Sequence, residues 1–154
     1  MAGAAEKKAP AAQGPKIDPK AVRVMSLTAS TSDCIGDPKT PLCAVETVMA
    51  CMLRRDMNLC RRAGVDEVAL APPLDPNDTY QMPYRVLRQR LYRKQDIPKD
   101  LRDVDWLKPG YVEVVISEPD PDTGSYAEGD KRTFMVKPVN GKWEVTTWAV
   151  WGAD

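Results

Sequence analysis

Four cysteines, Cys34, Cys43, Cys51 and Cys60, are the residues whose type and spacing offer the most chemistry. The gaps between them are eight, seven and eight residues. Structural zinc uses cysteine or histidine pairs roughly two to four residues apart, so this spacing speaks against a metal centre. Histidine is absent from the chain. That removes Ser-His-Asp and Cys-His nucleophiles and every histidine-ligated metal. No Gly-rich phosphate loop and no G-x-S-x-G elbow occurs, so no cofactor and no metal are expected. The cysteines then read as two disulfides or as reduced core thiols. On a helical wheel Cys51 falls nearly opposite the stripe of Val45, Met49 and Met52, and Cys43 is off it too. A core thiol should share the core face, whereas a stapling one need not, which favours disulfides.

Four cysteines allow three pairings. If residues 40–55 are helical, Cys43 and Cys51 lie about 12 Å apart along the axis. A disulfide needs Cα atoms within about 7 Å, so that pairing is excluded. A chain reversal at Asp56 brings Cys60 back to Cys51. Cys51–Cys60 and Cys34–Cys43 are therefore the predicted bridges.

The remaining polar clusters read as surface. Lysine plus arginine equals aspartate plus glutamate, 22 each, so no global field favours nucleic acid or anionic membrane. Arg85, Arg88, Arg90, Arg93 and Lys94 interleave with Tyr84 and Tyr92. On a helix these cations spread around the axis, and the acidic stretch 96–130 can pair with them, so no nucleic-acid partner is expected. The loop Asp120 to Glu128 places its glycine at the fifth position, not the sixth of a calcium-binding EF-hand loop, and reads as a solvated hairpin loop. No apolar run approaches the roughly 20 residues of a membrane span.

The elements that must carry these residues follow from local signals. Thr40 caps a helix and Pro41 fits its first position. Leu42, Val45, Val48, Met49, Met52 and Leu53 form its apolar stripe. Asp56 caps a shorter helix, Met57 to Ala63, which Gly64 stops. Val22 and Val24 permit a short strand, and Val68-Ala69-Leu70 another. Pro83 is predicted to open a third helix with Tyr84, Leu87 and Leu91 on its apolar side, ending at Ile97-Pro98. The last third is β: Tyr111 to Glu118, then Thr133 to Val139, the type I′ dipeptide Asn140-Gly141, and a returning strand from Lys142 to Trp151.

A helical hairpin with a charged break, a third helix and a terminal meander resembles the cystatin-like α+β cone, the superfamily of nuclear transport factor two, ketosteroid isomerase and scytalone dehydratase. The residues that carry the likeness are Ala44-Val45-Glu46 to Arg61-Arg62-Ala63 and Lys137 to Trp148. The resemblance implies a curved antiparallel sheet wrapping the helices, with a cavity at the wide end. Members are enzymes, ligand binders or interaction domains, so it does not choose a function. Its enzymes can use a buried aspartate base and a tyrosine donor. Asp103, Asp105 and Tyr111 qualify by chemistry alone, although residues 100–105 also read as a polar turn.

The expectation is thus one α+β domain over residues 21–154 behind a disordered tail, residues 1–20, that looks like a tether. Residues 1–20 lack the apolar core of a secretion signal. Tether and disulfides together suggest an exported, periplasmic or extracellular domain; a cytoplasmic one is the alternative. A two-residue turn at Asn140-Gly141 pairs Lys137 with Glu144, Met135 with Thr146 and Thr133 with Trp148. Phe134, Val136, Trp143, Val145 and Trp151 then face the core. Trp148 and Met135 fall on the outer face, where they would anchor a homodimer or protein partner. A non-catalytic binding or accessory module, acting through this sheet face or through a cone pocket for a small apolar ligand, is the expected function. The alternative is a small lyase or isomerase.

Overall fold

A computed structural model describes residues 16–151, with side chains through residue 149. The chain is α+β. Strand β1 (Arg23–Met25) leads to helix α1 (Pro41–Arg54) and helix α2 (Met57–Arg62). Strands β2 (Met82–Leu91), β3 (Val112–Ser117), β4 (Lys131–Val139) and β5 (Lys142–Trp151) complete it. All pairs are antiparallel, and the five strands lie in sequence order in one curled sheet. The expected tail lies outside the described residues up to residue 15; Ile17 already packs on the core.

The helices begin and end on their sequence signals. The Thr40 hydroxyl accepts from the Cys43 amide at 3.2 Å, with Pro41 in the first turn. Asp56 accepts from the Asn58 amide at 3.0 Å and starts α2. Between them Arg55 takes a left-handed conformation, φ 56°, which reverses the chain in one residue. Helix α1 is buried on nearly every side. Leu42, Val45, Val48 and Met49 meet Val112, Val114, Ile116, Phe134 and Val136 of the sheet. Both cysteines of α1 are buried, because α2 and the 26–39 loop cover the side away from the sheet.

Three expectations are corrected. The stretch from Pro83 is not a third helix but β2. Tyr84 and Val86 are buried and Arg85 between them is not, the alternation of a strand. The spacing of Tyr84, Leu87 and Leu91 fits a helix only by coincidence, and a register shift beside Leu87 hides the strand period. Pro83 is tolerated near the strand start, where pairing with β1 covers three residues. Residues 68–70 form no strand; Val68 and Leu70 pack on the core as extended chain.

The third correction concerns register. Asn140 and Gly141 both take positive φ, 50° and 80°, and Val139–Lys142 and Lys137–Glu144 pair as expected. Thr146 is then an extra residue opposite the Met135–Val136 step. Met135 therefore pairs with Thr147, Thr133 with Ala149 and Phe134 with Trp148. A one-residue slip exchanges the faces. Trp148 moves to the side of Phe134, where it is half-buried against the main core. The Trp151 side chain lies outside the described residues.

Candidate functional site

Both predicted disulfides form. Cys34–Cys43 spans a Cα separation of 5.5 Å and Cys51–Cys60 one of 5.3 Å. The first ties the loop after β1 to the start of α1, and the second locks the helical hairpin. Each closes a short loop, worth about 2–3 kcal/mol in the chain-entropy picture.

Two buried carboxylate–tyrosine pairs organise the interior, and neither was legible as a site. Glu46, on the sheetward helix, is buried and receives the Arg23 Nε at 2.9 Å and Nη2 at 3.2 Å. The Tyr84 hydroxyl donates to the same carboxylate. Burial first, and the Glu46 charge second, hold the Tyr84 phenol protonated well above its ordinary range. This triad joins β1, α1 and β2. Both charges are compensated within it, as a buried ion pair requires.

The second pair lies on the opposite, outer face of the sheet. Glu113 interrupts the apolar run of β3, and its carboxylate receives Arg88 Nε at 3.0 Å and the Tyr92 hydroxyl at 3.3 Å. Burial, then the neighbouring Glu113, raise the Tyr92 phenol above its usual value. Residues 92–111 fold back over this face. Leu107 is buried there against Tyr92 and Met135, with Ile97, Leu101 and Val104 packed alongside. The Thr146 hydroxyl lies within hydrogen-bonding distance of the Trp106 carbonyl, 3.0 Å, and of the Met135 carbonyl, 3.2 Å. The bulge thus pins the excursion to the sheet.

Between excursion and sheet a cleft of about 480 Å³ remains open. Trp106, Leu101, Leu107, Met135 and Tyr92 give it apolar walls, and among the described residues Glu113 is the one charged side chain that lines it. Trp106 is 37% exposed at the mouth. Of the expected interface residues, Met135 lies in this wall, only 4% exposed, and Trp148 borders the cleft. The outer face is therefore covered by the chain's own 92–111 segment, and the open sheet surface expected around Met135 is a cleft instead. A second cleft of about 390 Å³, lined by Met49, Met52, Tyr80 and Met82 among others, lies beside the C-terminal part of α1.

The remaining candidates do not converge. Asp103 and Asp105 are exposed in the excursion, and Tyr111 is half-buried on its inner side. Neither aspartate supplies the buried base of the lyase alternative. The arginines of the basic run are engaged: Arg85 stacks on Tyr126 at 3.9 Å, Arg88 meets Glu113, Arg90 stacks on Tyr92 at 4.5 Å, and Arg93 meets Asp96 at 3.1 Å. In the acidic loop, Asp120 accepts from the Asp122 and Thr123 amides and forms an ordinary turn. Among the described residues no group of metal-ligating side chains converges, and no helix is long and apolar enough to cross a membrane. No known protein-family model matches the chain, and no curated protein or solved structure is significantly similar to it.

Proposed function

We propose that this domain is a non-catalytic binding module that takes a small apolar ligand, or a single apolar side chain of a partner, in the outer-face cleft. The carrying observation is the cleft itself. Its volume, about 480 Å³, falls within the roughly 300–1,000 Å³ of small-molecule sites, and its walls are largely apolar with a few polar groups, Glu113, Thr133 and Thr147, among them. A concave site of that volume suits one inserted group better than a flat interface with a second copy. The lyase or isomerase alternative is weaker. The carboxylate that the cleft presents is Glu113, and it already accepts from Arg88 and Tyr92, which ties it into a fixed cluster rather than leaving it free to act as a base. The two disulfides support an exported domain, since such bridges persist in oxidising compartments. A helical hairpin on a curled antiparallel sheet also keeps the cystatin-like cone as the proposed superfamily.

Titration of the nitrogen-15-labelled protein with indole, followed by amide chemical shifts, tests this reading. Shifts are expected to cluster at residues 92, 101, 106–107, 113, 135 and 147. Shifts confined to the Met49–Met82 cleft, or none at all, would overturn it.

A further inference from the structure

The cleft has a polarity that its apolar walls do not explain. Glu113 is 9% exposed, and it lies on a strand buried on both faces. A carboxylate in such a place is costly unless its acceptor sites are filled. Arg88 reaches one oxygen through Nε and Nη2, and Tyr92 reaches the other at 3.3 Å, near the long limit of a hydrogen bond. An ionised carboxylate offers about four acceptor positions, so some remain for a donor arriving from the cleft. The nearby cations do not compete for that role. Arg88 and Arg90 are 57% and 46% exposed, lie outside the lining, and are engaged by Glu113 and by Asp96 together with the Tyr92 ring. Among the described residues, no cation lines the cleft beside Glu113.

We infer that the cleft selects flat aromatic ligands carrying a cationic hydrogen-bond donor, of the arylalkylammonium type, over anionic ligands of the same shape. The inference rests on the cleft being the binding site. In it the aromatic part lies between Trp106, Leu107 and Met135, and the ammonium donates to the Glu113 carboxylate. Tyr92 and Arg88 hold that carboxylate in place before the ligand arrives, so little ordering is required on binding. An anion would meet the carboxylate with like charge and leave it short of a donor.

The test compares tryptamine, indole and indole-3-acetate, with dissociation constants taken from amide shifts at neutral pH. Tryptamine is expected to bind about tenfold more tightly than indole-3-acetate, the factor of one charge-assisted hydrogen bond. Glu113→Gln is expected to reduce that preference to within about twofold while indole still binds. Arg88→Gln, at a half-exposed side chain, is expected to widen the preference, because removing a neighbouring positive charge strengthens the negative field that Glu113 presents to the cleft. Equal binding of tryptamine and indole-3-acetate, or an unchanged preference in both variants, would overturn the charge selectivity and leave the cleft as a general apolar site. If none of the three compounds shifts the cleft amides, the site assignment itself fails.

Discussion

The Tyr92 hydroxyl stands 3.3 Å from the Glu113 carboxylate, on the face of the sheet that the sequence pattern assigns to solvent. Residues 92–111 arch over that pair and convert a sheet surface into a cleft. The excursion is held at its centre by Thr146, whose hydroxyl meets the Trp106 carbonyl at 3.0 Å. Thr146→Val keeps the β-branched shape and removes this contact. It is expected to cost about 1 kcal/mol in urea unfolding and to raise hydrogen exchange over 100–107, with exchange in α1 unchanged. Uniform acceleration across the whole domain would show that the contact does not act locally.

The Cys51–Cys60 bridge closes a nine-residue separation inside the helical hairpin. Replacing both cysteines by alanine is expected to lower stability by about 2–3 kcal/mol. The comparison is of denaturant midpoints at equal slope, and an unchanged midpoint would contradict the stapling role.

Gly64 takes φ 81°, and a Cβ there would come within 2.6 Å of the Glu144 side chain. Just beside it, the Val145 amide donates to the Ala63 carbonyl at 2.8 Å. Gly64→Ala meets both backbone strain and a clash, with an expected loss of about 1–3 kcal/mol. Gly124 also has positive φ, 73°, but open space around it, so Gly124→Ala should cost less. Equal losses at the two positions in thermal unfolding would argue that only φ matters.

The Arg23–Glu46–Tyr84 triad sets an alkaline limit. The folded-state pKa of Tyr84 is raised above its ordinary 10.0, so its contribution is complete below that pH and is lost as pH climbs through the folded value. The urea midpoint is expected to fall between about pH 9 and about pH 11. Tyr84→Phe should be less stable at the lower pH by about 1–2 kcal/mol and decline less steeply. A parallel decline in both proteins would remove Tyr84 as the cause.

Elements with strong local chemistry were legible in the sequence. Thr40-Pro41, Asp56, Gly64 and Asn140-Gly141 each act within a few residues, and the helical hairpin, its disulfides and the β-turn stand where they indicate. Elements decided by distant partners were not. Tyr84, Leu87 and Leu91 satisfy a helical spacing, and pairing with β1 and β3, each across 20 or more residues, makes that segment a strand. The Thr146 bulge carries no composition signal, yet it moves Trp148 to the other face. The cleft did leave one trace. Glu113 is the lone charge inside the apolar run Val112 to Ser117, and a carboxylate there needs partners. Tyr92 and Arg88, which supply them, become neighbours only through the sheet.

The central claim is that the outer-face cleft receives the ligand, and a blocking variant tests it most directly. Ala149 is exposed, lines the cleft and pairs with Thr133 on β4. Ala149→Trp places a large side chain at the opening without touching the core. The dissociation constant of tryptamine, measured by amide shifts for this variant and for the unaltered protein, is the deciding quantity. The account predicts that Ala149→Trp keeps its fold, seen as unchanged shifts in α1 and α2, and weakens binding about tenfold or more. Undiminished binding by the folded variant would contradict it.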